Sequence, residues 1–157
     1  NAENNQEGKM TYVRQLLQGK PAEVWHVGSR DMAYKALELM SEKNIGALPV
    51  VDAENGSELL GMFSERDYAR KVILKGKSSH ATTVSELMSS PVTTVALDDT
   101  IETCMGLMTT RHIRHLPVID HGQMIGLVSI GDVLNALVRE QRVLIKDLEN
   151  YIVGARS

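Results

Sequence analysis

The stretch HIRHLPVIDHGQMIGLVSIGD, His112 to Asp132, decides how the chain is read. Leu116, Pro117, Val118 and Ile119 form a short apolar run between polar neighbours, the composition of a buried strand. Asp120–Gly122 supplies a tight polar turn, and Met124 to Val128 a second apolar strand. A helix opens at Ser129. There Gly126-Leu-Val-Ser129-Ile-Gly-Asp132 sets a hydroxyl and a carboxylate three residues apart at a helix mouth.

The same order occurs earlier in the chain, which makes it an internal repeat. Pro49-Val-Val-Asp52 lies 68 residues before Pro117-Val-Ile-Asp120, and Asp31/Asp99, Met40/Met108 and Ile45/Ile113 keep that spacing. Gly61, Ser64 and Asp67 precede Gly126, Ser129 and Asp132 by 65, because the first turn, with Asp52 and Asn55-Gly56, is three residues longer. The first copy reads as a strand over Glu23–Val27 and a helix capped by Asp31 with Ala33, Ala36, Leu37 and Met40 on one face. Strands Ala47–Val51 and Leu59–Phe63 follow, then a helix from about Ser64 to Leu74 that ends at Gly76. The second copy opens with a helical turn at Val84–Met88 and a strand over Pro91–Val95. Its helix is capped by Asp99, which with Glu102 has the form of a capping box, and carries Ile101, Cys104, Met105 and Met108 on one face.

The predicted organisation is therefore two strand–helix–strand–strand–helix repeats, an α/β chain of the α+β type. Residues 1–9 are polar and predicted to be disordered. Residues 10–76 hold the first repeat with a helix over Met10–Leu17, 77–83 form a linker, and 84–138 hold the second repeat. Residues 139–157 form an amphipathic helix and tail whose Val143, Leu144, Leu148 and Ile152 need the protein body or a second subunit to cover them.

Composition bounds the function. With 157 residues the chain is long enough for one domain or two small halves, and its 43% hydrophobic content is ordinary for a globular protein. A net charge of −3 without a local basic patch excludes a phosphate-backbone binder, so no nucleic-acid partner is expected. The single Cys104 rules out an intrachain disulfide and points to a reducing, cytoplasmic setting. No apolar run approaches the ~20 residues a membrane span needs. The opening NAENNQEGK lacks an apolar signal core.

Enzyme chemistry finds no support. His112 and His115 straddle a helix-to-strand junction, and no Cys or carboxylate stands at a zinc-like spacing, so neither a metal site nor a catalytic residue is expected. Cys104 lies on an apolar helix face, the place of an inert thiol. Ser64 and Ser129 lack a Gly-x-Ser-x-Gly elbow.

The doubled Leu-Pro-Val-(Val/Ile)-Asp, the doubled Gly-x-x-Ser-x-x-Asp and the helix ends Lys43-Asn-Ile-Gly-Ala47 and Arg111-His-Ile-Arg-His115 resemble a tandem CBS-domain pair, the Bateman module. The resemblance covers roughly Val24 to Val138, with no enzyme or channel domain attached, as in stand-alone bacterial CBS-pair proteins. It implies two pseudo-symmetric β-α-β-β-α repeats packed through their sheets, with clefts between them, and a homodimer. It also implies a regulatory role, an unidentified regulated protein and an adenosyl ligand: AMP, ADP, ATP or NAD(H), with S-adenosylmethionine ranked behind these. The competing reading is a ligand-free scaffold that dimerises and docks a partner.

By this resemblance, Asp67 and Asp132 hold the ribose. An ionised carboxylate is acceptor-only and can take both hydroxyls of a cis-diol. Ser64 and Ser129 cap their helices and offer hydroxyls beside the free N–H groups of the first turn. The alternative is a Ser-x-x-Asp cap serving only the helix. Adenine is implied at Lys20, Trp25, Ile45 and Gly46 for the first repeat, and at Met88, Thr93, Ile113 and Arg114 for the second. Backbone at Ala47 and His115 would read the base edge, and Pro49 and Pro117 mark strand edges or bulges. Trp25 reads equally as a core residue. Arg114 and His115 would clamp phosphates of a nucleotide on Asp67, aided by Arg66. Gly46 and Ala47 would leave the Asp132 site roomier and poorer in charge, so two unequal sites are expected.

Overall fold

A computed structural model describes residues 10–21, 23–56 and 58–156; the expectation for residues 1–9 lies outside them. In chain order the elements are α1 (Val13–Gln18), β1 (Val27–Gly28), α2 (Ala33–Lys43), β2 (Ala47–Val51), β3 (Leu59–Ser64) and α3 (Glu65–Tyr68), which continues as a π-helical turn over Ala69–Ile73. Then come α4 (Val84–Leu87), α5 (Ile101–Arg111), β4 (His115–Asp120), β5 (Gln123–Ser129) and α6 (Ile130–Arg156). Strands β1, β2 and β3 form one sheet in that order, and β4 and β5 pair as a hairpin. The mixed α/β character and the doubled order are as the sequence predicts.

Local differences have local causes. The strands predicted at Glu23–Val27 and Pro91–Val95 shrink to Val27–Gly28, parallel to Val50 and Val51, and to one bridge between Val95 and Val118. Neither Asp31 nor Asp99 caps a helix. Met32 and Thr100 hold the N-cap positions, and no side chain bonds at Met32. The two carboxylates instead close the preceding turns, accepting from the N–H of Gly28 at 2.8 Å and of Ala96 at 2.7 Å. The predicted Asp99–Glu102 box is replaced by Thr100, whose Oγ1 accepts from the Thr103 N–H at 3.2 Å. The predicted hairpin turn is a two-residue one, His121 and Gly122, both at positive φ. Pro49 sits in a strand that is central by count. Its β1 neighbour reaches only Val50 and Val51, so at Pro49 the strand is locally an edge.

The chain folds as two compact units, and these are not the two sequence repeats. Among the described residues, one unit comprises 10–21, Val95–Val118 and 127–156; the other comprises those of Glu23–Thr94 and Ile119–Gly126. The core of the first is built on Ile101, Cys104, Met108, Leu116, Val118, Val128, Val133 and Ala136, and it takes in Val13 and Leu16 from α1. The core of the other holds Ala33, Ala36, Met40, Leu48, Val50, Phe63 and Val72, and it takes in Val84 and Leu87 from α4. α1 thus packs in the core of the second copy and residues 84–88 in that of the first, although in sequence each stands at the head of the other copy. The physical reason is that the aliphatic side chains of α1, Val13 and Leu16, and of α4, Val84 and Leu87, are buried in those cores. Backbone docking is parallel in the two cases. The Val13 N–H of α1 reaches the Asp99 carbonyl and the Val84 N–H of α4 the Asp31 carbonyl, each at 2.8 Å.

Burying an aliphatic side chain of this size contributes about 1.5–3 kcal/mol. Leu16→Ala is therefore expected to lower stability by about 2–4 kcal/mol through the second-repeat core. In urea unfolding the main-chain amides of α5 should lose hydrogen-exchange protection before those of α2, the opposite of what the sequence grouping of α1 predicts.

Candidate functional site

Two helix mouths repeat one construction. Where β3 meets α3, the Ser64 Oγ accepts from the Asp67 N–H at 3.2 Å, and Asp67 Oδ2 accepts in return from the Ser64 N–H at 3.0 Å. Where β5 meets α6, the Ser129 Oγ accepts from the Asp132 N–H at 3.1 Å, and Asp132 Oδ2 from the Ser129 N–H at 2.8 Å. Both are reciprocal capping boxes. The backbone just upstream of each Leu-Pro-Val is committed as well. The Gly46 carbonyl accepts from the Glu65 N–H at 3.0 Å, and the Arg114 carbonyl from the Ile130 N–H at 2.8 Å. Those carbonyls therefore serve the helix starts rather than facing outward.

In both aspartates the cap uses Oδ2 and leaves Oδ1 outside it, but the further partners differ. Asp67 Oδ1 accepts from the Ser89 hydroxyl at 3.1 Å and lies 3.6 Å from Lys71 Nζ, whose own hydrogen bond goes to the Leu87 carbonyl at 2.8 Å. Around Asp132 the ammonium of Lys20 lies 2.7 Å from Oδ2 and 2.8 Å from the Leu127 carbonyl. Oδ1 of Asp132 takes no hydrogen bond among the described residues. Both ion pairs are part-buried, with Asp67 15% and Asp132 26% exposed at the side chain.

Lys20, assigned to the first repeat from sequence, thus belongs to the Asp132 mouth. Met88, assigned to the second, belongs to the Asp67 unit, where its thioether packs on Gly61. A Cβ built on Gly61 would stand 2.5 Å from the Met88 Sδ and 3.0 Å from its Cβ, so glycine is required for this approach. Lys20 and Met88 are 68 residues apart, equivalent positions of the two copies. One carries a charge where the other carries a thioether, and that is how the two mouths differ.

The Asp132 mouth carries a cation, Lys20, that the sequence reading placed in the first repeat. Besides Lys20, the half-buried His115 lies there, and burial first and the Lys20 charge second push its imidazole below the ordinary value of 6.5, against the pull of Asp132; Arg114 adds to the lowering. Burial pushes Asp132 up, but the Lys20 hydrogen bond and the Ser129 N–H outweigh it and hold the carboxylate below its ordinary 3.8. The result is a carboxylate, an ammonium and a neutral imidazole within one unit.

The remaining predicted residues divide. Trp25 is not in the core: it is 41% exposed, and the Lys43 ammonium stands 4.1 Å above its ring. Ile45 and Gly46 line a cavity of about 420 Å³ with Leu37, Met40, Ser41, Asn44 and Glu65. A larger groove of about 630 Å³, lined by Tyr34, Glu38, Glu42, Tyr68 and Ser79 among others, contains no predicted residue. Ala47, Pro49 and Pro117 are buried, so only their backbone is available. Arg66 and Arg114 are exposed, and Thr93 and Ile113 partly so. Ser89 and Lys71 were missed; nothing in their local sequence marks them, since only the exchanged segment brings Ser89 to Asp67. Cys104 is fully buried, and burial lifts its thiol to about 11, too high for a nucleophile. Among the described residues no group of three or more His, Cys, Asp or Glu could hold a metal ion, and no helix is long and apolar enough to cross a membrane.

Two measurements check this site. Lys20→Met should raise the titration midpoints of both His115 and Asp132 in NMR, because the same ammonium lowers both. In the wild type, the stabilising share of neutral His115 is fully present above pH 6.5 and lost as pH falls through its lower folded value. Gly61→Ala should lower stability by about 1–3 kcal/mol in denaturant unfolding, and Met88→Ala added to it should recover part of that loss.

The comparisons agree with this duplicated construction. The family model described as CBS domain matches residues 22–73 and again 84–139. A mitochondrial CBS domain-containing protein of Arabidopsis thaliana, CBSX3, is 43% identical over 126 residues, 79% of this chain and 61% of that protein. An uncharacterized protein of Methanopyrus kandleri is 34% identical over 77% of this chain and 57% of its own length. The chain thus spans about three fifths of these curated relatives. The solved structure of a candidate signal-transduction protein with CBS domains from Burkholderia ambifaria MC40-6 superposes with a TM-score of 0.77 at 45% identity, covering 83% of this chain and 96% of that one. Matched twice by the family model over both of its repeats, the chain belongs to the CBS-domain family and carries a tandem CBS pair.

Proposed function

We propose that this CBS pair is a regulatory module that binds an adenosyl nucleotide, AMP, ADP, ATP or NAD(H), with the Asp132 mouth as its principal site. The observation that carries the reading is the set gathered there: Asp132 with one uncommitted carboxylate oxygen, the Ser129 hydroxyl, the Lys20 ammonium and neutral His115. A ribose hydroxyl donates to Asp132 Oδ1 without breaking the cap that Oδ2 maintains. Lys20 turns from Asp132 toward a phosphate, which replaces one charge partner by another. The Asp67 mouth, with Met88 in place of Lys20, is the weaker site for a charged nucleotide.

Regulation follows from where the site stands. Asp132 lies in the first turn of α6, and Lys20 closely follows α1, which packs in the same core. A nucleotide that takes Lys20 away from Asp132 loosens one tie between those elements. It shifts their equilibrium only by its differential affinity for the two arrangements. No catalytic residue enters this scheme.

The second reading, a ligand-free scaffold, is favoured by the fact that both Ser–Asp pairs already serve their helices as caps. Calorimetry separates the two. AMP, ATP and NADH are titrated into the wild type, Asp132→Ala and Asp67→Ala. The nucleotide reading expects binding that Asp132→Ala abolishes and Asp67→Ala reduces less, with Lys20→Met weakening ATP more than adenosine. Absence of heat at millimolar ligand in the wild type leaves the scaffold.

A further inference from the structure

The last helix carries a surface that the nucleotide site does not use. α6 runs unbroken for 27 residues from Ile130 to Arg156, where the sequence suggests a repeat helix followed by a separate one. Its first turns are anchored by Val133 and Ala136 in the core. Beyond them, every residue from Gln141 to Gly154 is exposed, including Val143, Leu144, Ile145, Leu148, Tyr151, Ile152 and Val153. A helical arm of this length is marginal in water without packing along one side.

The pattern on the arm names its partner. Leu134, Val138, Gln141, Ile145, Leu148 and Ile152 recur at alternating steps of four and three, a heptad seam with Val138, Ile145 and Ile152 at a and Leu134, Gln141 and Leu148 at d. β-Branched residues at a with leucine at d suit a two-stranded pair. The flanking positions decide its direction. At g stand Leu137, Leu144 and Tyr151, and at e stand Arg142 and Glu149. In a parallel pair e faces g, which sets Arg142 and Glu149 against leucines. In an antiparallel pair e faces e and g faces g.

We infer that the exposed arm of α6 pairs antiparallel with the same arm of a second copy of this chain. In the register that sets Ile145 against Leu148 of the partner subunit, Arg142 faces Glu149 of the partner subunit, and two-fold symmetry makes that pair twice. Leu144 then meets Tyr151 of the partner subunit. Shifting by one heptad either way sets Arg142 against Arg142 of the partner subunit, or Glu149 against Glu149 of the partner subunit. Charge therefore selects a single register. That register overlaps residues 137–156, the part of the helix that begins just past Ala136, the last buried residue. Gln141 falls against Ile152 of the partner subunit near the ends of the overlap. The inference is independent of nucleotide binding.

Cysteine crosslinking on the full chain tests both partner and direction, with Cys104 left in place because it is buried. Ile145→Cys and Leu148→Cys chains, each oxidised alone and then mixed, are resolved by non-reducing electrophoresis. The expected result is a disulfide dimer mainly in the mixture. A dimer of Ile145→Cys alone indicates a parallel pair and overturns the proposal, as does no crosslink in any sample. Sedimentation equilibrium adds a second readout. Arg142→Glu should weaken self-association at least tenfold, and Arg142→Glu with Glu149→Arg should restore it. Equal association of all three overturns the charge-selected register. Each substituted side chain is exposed, so unaltered circular dichroism separates lost pairing from lost folding.

Discussion

The reciprocal bond between a serine hydroxyl and an aspartate three residues on is the constraint on which both halves of this protein depend. It starts α3 and α6, satisfies N–H groups that a helix start leaves unpaired, and turns the chain out of a strand in one step. In the second copy Oδ2 of Asp132 holds the cap while Oδ1 takes no hydrogen bond among the described residues, so the binding role we propose for this residue does not compete with the cap for the same atom.

Around that shared device the two mouths have been given different chemistry by equivalent positions. Lys20 and Met88 stand 68 residues apart in the sequence, yet one answers Asp132 with a charge and the other fills the space above Gly61 with a thioether. The consequence extends to the neighbours. The Lys20 charge depresses His115 and Asp132 together, whereas Asp67 is met by the Ser89 hydroxyl and, at greater distance, Lys71. The duplicated fold thus offers one mouth with a close Lys–Asp contact at 2.7 Å and one where the lysine stands off at 3.6 Å and a serine hydroxyl takes the near place.

The exchanged segments explain why a repeat excised at its sequence boundaries would be an incomplete object. α1 closes the core of the second copy and α4 that of the first, each contributing two buried aliphatic side chains. The same exchange carries Lys20 and Ser89 to their aspartates. Core completion and site construction are therefore one event in each unit.

The doubled Leu-Pro-Val and Gly-x-x-Ser-x-x-Asp patterns determined the element types, the hairpins, the caps at Ser64 and Ser129 and the buried faces of α2 and α5, because these depend on neighbours within a few residues. The sequence also held the heptad of α6, although its division at Val138 hid a continuous helix. What only the tertiary structure decided was partnership at long range. Asp31 and Asp99 closed turns instead of capping, accepting from the N–H groups of Gly28 and Ala96 while Met32 and Thr100 took the N-cap positions. Trp25 emerged from the core to meet Lys43, and Lys20 crossed to Asp132. No local pattern encodes such pairings: they follow from which surface each core leaves open, and that is a property of the folded chain.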